Sequence, residues 1–309
     1  MPRDNSPEAA GDARVREKSR AGTDSHQEQK RLESLMMKAR IDLSGMVPRS
    51  MAAVVALCLL TASSLSARAG GTLTIAAASD LQTVLPELAV GFERSTGIKV
   101  TVTLGSSGSF FAQIQNGAPF DVFLSADADY PRQLAKAGYV DAASVYDYAT
   151  GVLVMWTRQD SGLDVMKGLP LLGDPQVRRI AIANPAIAPY GRASFASLRM
   201  IGIAGVVERK LVYADSVAQA AQFALSGNVD VAMIGHALAL GAALRDVGRF
   251  YEVPDRMHPP IIQSAGIVAG SRNKAAAGAF LTFLKSADAR TTLRAFGFRL
   301  PTLAAAGRP

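Results

Sequence analysis

The sequence predicts an α/β fold of two lobes, and three observations carry that reading. Strand-like apolar runs alternate with helix-like amphipathic stretches from residue 72 onward, the pattern of mostly parallel sheets flanked by helices. Two clusters of these strand–helix units are separated by long strand-like stretches near 148–157 and 258–268, which read as crossovers. No internal repeat and no low-complexity linker interrupts this part. The first lobe is expected to be discontinuous, 70–150 plus 262–309, and the second to span 151–261, with a ligand cleft between them.

The elements follow in order. Residues 72–78 (TLTIAAA) read as a buried strand, and 81–92 carry apolar residues at helical spacing. A strand at 100–104 leads into a helix that opens at 110–114 and stops at Asn116-Gly117. A short strand at 121–124 is followed by Ser125, placed as the N-cap of a helix ending near Gly138. Strands at 152–156, 179–183, 211–213 and 229–234 come next, with helices at 192–201, 216–225 and 237–247. Late strands at 250–253 and 261–268 precede two closing helices, 275–284 and 287–295.

Composition bounds the function classes. The chain has 309 residues, 49% apolar and 19% charged, which excludes a disordered or collagen-like chain. Its length fits one or two domains. Residues 1–69 hold 11 Lys+Arg against 8 Asp+Glu, and the remainder 22 against 18. No dense basic stripe with interleaved aromatics is present, so nucleic acid is not an expected partner.

Residues 1–35 are polar and charged, without apolar periodicity. A basic stretch from Met36 through Arg49, the apolar run 51–60 (MAAVVALCLL) and Ala67-Arg68-Ala69 then describe a secretory signal peptide. That run is short of the ~18 residues of a membrane span. Cleavage is expected after Ala69, leaving 240 residues, with translation starting at Met36, Met37 or Met46. Cys58 lies inside the removed segment, behind Leu57 rather than the small residue of a lipoprotein signal. The mature chain then has no cysteine, which excludes disulfides, thiolate metal sites and Cys nucleophiles and fits the periplasm.

Nothing in the mature chain assembles into a catalytic group. His236 and His258 each stand alone, and no G-x-S-x-G, Walker A or G-x-G-x-x-G pattern occurs with the right flanks. His236 reads as a first-turn helix residue. Asp127 and Asp129 read as compensation of a helix dipole. The expectation is a binding protein, not an enzyme, with no cofactor and no metal held by side-chain ligation.

What stands out is a set of four strand-to-helix turns rich in small hydroxyl residues and nearly free of basic ones: 76–80 (AAASD), 104–109 (LGSSGS), 184–192 (NPAIAPYGR) and 213–217 (YADSV). At a helix N-terminus the first N–H groups lack partners and the dipole end is positive. Each turn alone reads first as an N-cap. Four such turns in one two-lobed exported chain shift the reading to an anion site built from neutral donors. Such a site admits a deprotonated oxyanion and penalises one whose O–H finds no acceptor.

At these turns the chain resembles the periplasmic molybdate-binding proteins of ABC transporters. The resemblance runs over nearly all of 71–301 and is most specific at AAASDL (76–81), GSSGSFFAQIQNGAPFDVFLSADADYP (105–131), IAIANPAIAPYGRA (180–193), YADSVAQAAQFALSGNVDVAMIG (213–235) and FGFRLP (296–301). It implies a type II periplasmic binding protein, two α/β lobes closing over a ligand. By position it implies hydroxyl donors at Ser79 and Ser107 and backbone N–H donors at Tyr190 and Val217. Family members add a tyrosine hydroxyl where this chain has Ile234. Ser106, Ser109, the Tyr190 hydroxyl and Arg192 are left to compensate, and the sequence does not choose among them. Asp80 is out of place beside a dianion, so its side chain should point away or cap the helix.

The resemblance further implies capture of molybdate, and of tungstate, by a monomer that docks on an inner-membrane permease with a cytoplasmic ATPase. The alternatives are a binder of another tetrahedral oxyanion such as sulfate or phosphate, an enzyme acting on a phosphate-bearing substrate, and an exported adhesion or sensor module.

Overall fold

The computed structural model of the protein describes residues 72–301. The signal-peptide reading, Cys58 and the expected cleavage after Ala69 lie outside the described residues.

Among the described residues, ten strands sort into two five-stranded sheets. In the first, β1 (Leu73–Ala78), β2 (Val100–Gly105) and β3 (Val122–Ser125) run parallel, and β10 (Ile261–Ile267) and β4 (Tyr146–Gly151) complete the order β2-β1-β3-β10-β4. In the second, β6 (Ile180–Ala183), β7 (Leu211–Ala214) and β8 (Val231–Gly235) are parallel, joined by β5 (Leu153–Arg158) and β9 (Gly248–Glu252) in the order β7-β6-β8-β5-β9. The chain changes sheet at Val152 and again between Glu252 and Ile261. Both sheets are mixed rather than mostly parallel. A strand arriving from the other lobe enters its sheet at the end that faces that lobe. Leu153 therefore starts opposite Gly235, the last residue of β8, and β5 runs antiparallel to it. β10 likewise runs antiparallel to β3.

Helices cover these sheets through apolar faces. Leu85, Leu88 and Phe92 of α1 (Leu85–Thr96) share one core with Leu73, Ile75 and the closing helices. Phe110 and Ile114 of α2 (Ser107–Gln115) and Leu134 of α3 (Asp129–Lys136) pack on the opposite face. The second sheet carries α4 (Pro189–Met200), α5 (Ala204–Val207), α6 (Val217–Leu225) and α7 (His236–Leu240) around a core centred on Trp156, Met233 and Leu198. The closing helices are α8 (Lys274–Leu284) and α9 (Ala287–Ala295). Among the described residues, no helix is long and apolar enough to cross a membrane.

Several boundaries differ from the sequence reading, each for a local reason. The first helix is preceded by a 3₁₀ turn, Ser79–Gln82, and ends at Gly97, whose φ of 75° suits glycine. Ser125 is not an N-cap. It ends β3, where its hydroxyl donates to the Asp127 carbonyl and accepts the Asp127 N–H, and α3 begins four residues later. The helix expected at 237–247 stops after Leu240, because Gly241 turns extended where the Thr83 methyl fills the space of a Cβ.

The two crossovers are tied together by Arg299, which follows the closing helices. Thr150 and Arg299 exchange backbone hydrogen bonds of 2.6 and 2.9 Å, and the Arg299 guanidinium pairs with Glu252 and Asp255. At the far end of the first sheet the buried Asp121 carboxylate accepts from the Thr74 N–H (2.8 Å), the Ser271 hydroxyl (2.6 Å) and the Asn273 amide (3.1 Å). Asp121→Ala leaves those donors without a charged acceptor, so urea denaturation is expected to record a loss of about 2–4 kcal/mol. Because Asp121 sits at the N-terminal end of β3, any ligand held at the strands' C-terminal ends should bind the variant as tightly as the parent.

Candidate functional site

The C-terminal ends of β1 and β2 face those of β6 and β7 across a small cavity. Each strand delivers the start of a helical turn to it: Ser79 and Asp80 from β1, Ser106 and Ser107 from β2, Pro189 and Tyr190 from the turn after β6, Val217 from the turn after β7. The void measures about 10 Å³, room for about one water. No lysine or arginine lines it, and Asp80 is its one ionisable carboxyl. Larger hollows, about 610 Å³ beside Asp121 and about 770 Å³ between Val90 and Phe283, do not gather helix N-termini from both sheets.

Hydrogen bonding at this cavity leaves donors unspent, beside one acceptor, Asp80 Oδ1. The Ser107 hydroxyl oxygen accepts the Ala126 N–H at 2.9 Å, and the Ser79 hydroxyl oxygen accepts the Ala218 N–H at 3.3 Å. A hydroxyl that accepts from backbone keeps its own O–H to donate. Tyr190 and Val217 occupy the first turns of α4 and α6, where N–H groups have no intrahelical partner. In α6 the next two N–H groups are already taken, Ala218 by Ser79 and Gln219 by the Ser216 cap. Val217 is thereby left with its N–H open. The four residues singled out by resemblance thus line one cavity, two from each sheet.

The further candidates fare differently. Ser106 lines the cavity and caps α2 through the Ser109 N–H (3.3 Å). Ser109 is off the lining, its hydroxyl paired with that of Ser106 at 2.7 Å. Arg192 is also off it. Its guanidinium pairs with Asp127 and donates to the Tyr130 hydroxyl at 3.2 Å, so its charge is neutralised at the rim. Ile234 lies fully buried within β8, opposite Val154, and offers nothing to the cavity. The Tyr190 hydroxyl lies beside Asp80, itself a lining residue, and Gln263. His236 opens α7 as expected, its ring 4.8 Å from that of Phe250.

Two features escaped the sequence reading. The first is a direct seam between the sheets. The Gly108 N–H donates to the Ile187 carbonyl at 2.9 Å, and a Cβ on Gly108 would lie 2.7 Å from that oxygen and 2.9 Å from the Tyr130 hydroxyl. The second is a buried polar cluster beneath the cavity. Asp80 is fully buried and does not cap its 3₁₀ turn. Its Oδ2 accepts from the Gln263 amide at 2.7 Å, while Oδ1 has no hydrogen-bond partner. The Tyr148 hydroxyl donates to the Gln263 carbonyl oxygen at 3.2 Å. Gly151 and Gly235 leave the room that the Tyr190 ring and hydroxyl occupy. A polar Gln263 inside the apolar run 261–268 was the available signal.

Burial pushes the Asp80 carboxyl up from 3.8 to about 7, against the opposing influence of the Tyr190 and Gln263 hydrogen bonds. Both tyrosine hydroxyls are raised by burial and by the Asp80 charge. The folded chain therefore holds this proton more tightly than the unfolded chain. The carboxyl favours folding below about pH 4 and loses that contribution as pH rises through about 7. Asp80→Asn is expected to raise the thermal midpoint at about pH 8, by up to about 4 kcal/mol in stability, with the gap closing toward about pH 5.

Comparison with known proteins places this geometry. The family model described as bacterial extracellular solute-binding protein matches residues 73–299. The molybdate-binding protein ModA of Rhodobacter capsulatus is 36% identical over 247 residues, 80% of this chain and 95% of that protein. The periplasmic molybdate-binding protein of Azotobacter vinelandii superposes with a TM-score of 0.70 at 34% identity, covering 74% of this chain and 100% of that one. The sulfate-binding protein SubI of Mycobacterium tuberculosis shares the fold alone, at 18% identity and a TM-score of 0.63 over 75% of this chain and 88% of that one. With the same two-lobed architecture and near full-length matches, the chain belongs to the bacterial extracellular solute-binding proteins, among relatives that include the ModA proteins.

Proposed function

We propose that this chain is the solute-binding component of an ABC importer and captures molybdate, and tungstate, between its two sheets. The observation that carries the reading is the set of unspent neutral donors converging on one cationless cavity: the Ser79 and Ser107 hydroxyls from one sheet, the Tyr190 and Val217 N–H groups from the other. Fixed neutral donors suit an unprotonated tetrahedral dianion. The relatives that carry this ligand in their names match over nearly their whole length.

In this reading the sheets part to admit the anion and settle around it. Contacts made only in the closed arrangement then favour that arrangement when the anion is bound. In this reading the loaded protein, a monomer in the periplasm, docks on an inner-membrane permease driven by a cytoplasmic ATPase. No bond of the ligand is made or broken.

Calorimetry is the suitable readout, because Trp156 is buried in the second sheet's core and not at the cavity. Molybdate and tungstate are expected to bind saturably and to resist displacement by excess sulfate or phosphate. Sulfate binding as tight as molybdate would reassign the ligand. Ser79→Ala and Ser107→Ala should each weaken binding by about 1–3 kcal/mol, the loss for a hydrogen bond to a charged partner. Full affinity in both variants would move the site elsewhere.

The seam makes a separate expectation. Gly108→Ala puts a methyl against the Ile187 carbonyl and blocks the last approach of the sheets. Alanine is also the better helix former at this position in α2. Molybdate affinity is expected to fall about tenfold or more, roughly 1.4 kcal/mol, while the anion-free thermal midpoint holds or rises.

A further inference from the structure

We propose that Asp80 takes up one proton when the cleft closes on its oxyanion, so that capture of a dianion is also capture of a proton. The inference rests on the oxyanion reading above.

Four observations support it. Asp80 lines the cavity that receives the anion. It is fully buried, so water cannot screen its charge from a ligand in the same void. Its Oδ1 has no hydrogen-bond partner and is free to carry a proton. The groups around it are neutral: Gln263 from β10 at 2.7 Å, Tyr190 from α4 and Tyr148 from β4. A carboxylate held by neutral donors alone has nothing to offset a second negative charge placed beside it. The simplest chemical relief is R–COO⁻ plus H⁺ from solvent giving R–COOH, with no other bond changed.

Among the described residues, no other charged group near the cluster can serve instead. The tyrosine hydroxyls are held neutral by burial. The strands β1, β2 and β8 and the helix α6 carry no titratable side chain. His236 of α7 faces Phe250 and feels Glu252 and Arg299 rather than Asp80. On α1, Glu93 pairs with Lys99, and Glu87 and Arg94 are exposed. Arg192 of α4 is committed to Asp127, and Arg199 is exposed. No group of three His, Cys, Asp or Glu side chains able to hold a metal ion occurs among the described residues, so a bound cation is not the counter-charge. Burial already pushes the Asp80 carboxyl up to about 7 without an anion, so the proton is within reach at neutral pH.

Proton uptake is read directly by calorimetric titration of the purified protein with molybdate, tungstate and sulfate. The titrations use two buffers of different ionisation heat at about pH 8, where all three anions are fully deprotonated. Uptake approaching one proton per anion is expected, with affinity falling by up to about tenfold per pH unit between about pH 7 and about pH 9. Asp80→Asn, which keeps the shape and the bond from Gln263, should bind with no proton uptake and a flat pH profile. A wild type that binds without uptake, or an Asp80→Asn variant that keeps the full uptake, overturns the proposal. If sulfate instead of molybdate binds with one proton, the inference stands and the ligand assignment falls. If none of the three binds, both fall.

Discussion

The orientation of two serine hydroxyls by backbone amides is the constraint on which the rest of the site depends. A serine side chain rotates freely in water and presents a donor or an acceptor as its surroundings demand. Here each hydroxyl oxygen receives a backbone N–H, Ala126 onto Ser107 and Ala218 onto Ser79, and this leaves the hydroxyl hydrogen free to donate. The second bond crosses between the sheets, since Ser79 follows β1 and Ala218 belongs to α6. One interaction therefore orients a donor and joins the lobes at once. Helix N-termini supply the remaining donors from groups that would otherwise have no partner. In the proposed reading the positive potential of the site is distributed over oriented dipoles.

The contacts that close the cleft are of unequal worth. Arg192 and Asp127 form a visible clasp at the rim, and the guanidinium lies 5.5 Å from the Tyr130 ring centroid. Both side chains remain partly solvated, and exposed pairs contribute about 0–1 kcal/mol. The Gly108–Ile187 bond adds one ordinary hydrogen bond, on the order of 1 kcal/mol. Such a seam holds the sheets weakly, which suits the capture and release of the proposed function. The larger share of the closing energy has to come from the ligand, through donors contributed by both sides.

The helix and strand pattern was legible because each element carries its own period and its own stop signal. β8 and α6 are examples, bounded by Asn228-Asp230 and by the Ser216 cap. That these four residues would share one cavity was legible because turn chemistry is local: Ser79, Ser107, Tyr190 and Val217 sit within two residues of a helix start. The antiparallel strands were not legible, since strand direction is set by where the chain re-enters a sheet and not by any residue in β5 or β10. The Arg192–Asp127 pair spans 65 residues and the Asp80–Gln263 bond 183, and no periodicity encodes such distances. Asp80 was visible only as an anomaly. Its partners needed the fold to bring β10 beneath the first turn.

Magnitudes decide what that anomaly does. Two unit charges about 4 Å apart at a partly screened protein site repel by about 4 kcal/mol, so a dianion beside an ionised Asp80 faces a larger opposing energy still. Hydrogen bonds to charged groups contribute about 1.5–3 kcal/mol each, so a substantial part of what four donors supply would be cancelled. Protonating a carboxyl whose pKa stands at about 7 costs less than about 1 kcal/mol near neutral pH. The cheaper path is to neutralise Asp80 rather than to oppose it. A permanently neutral asparagine would avoid even that cost, yet it would give up a property the carboxyl confers. With Asp80 the affinity of the closed state for a dianion depends on the proton supply of the compartment in which it binds.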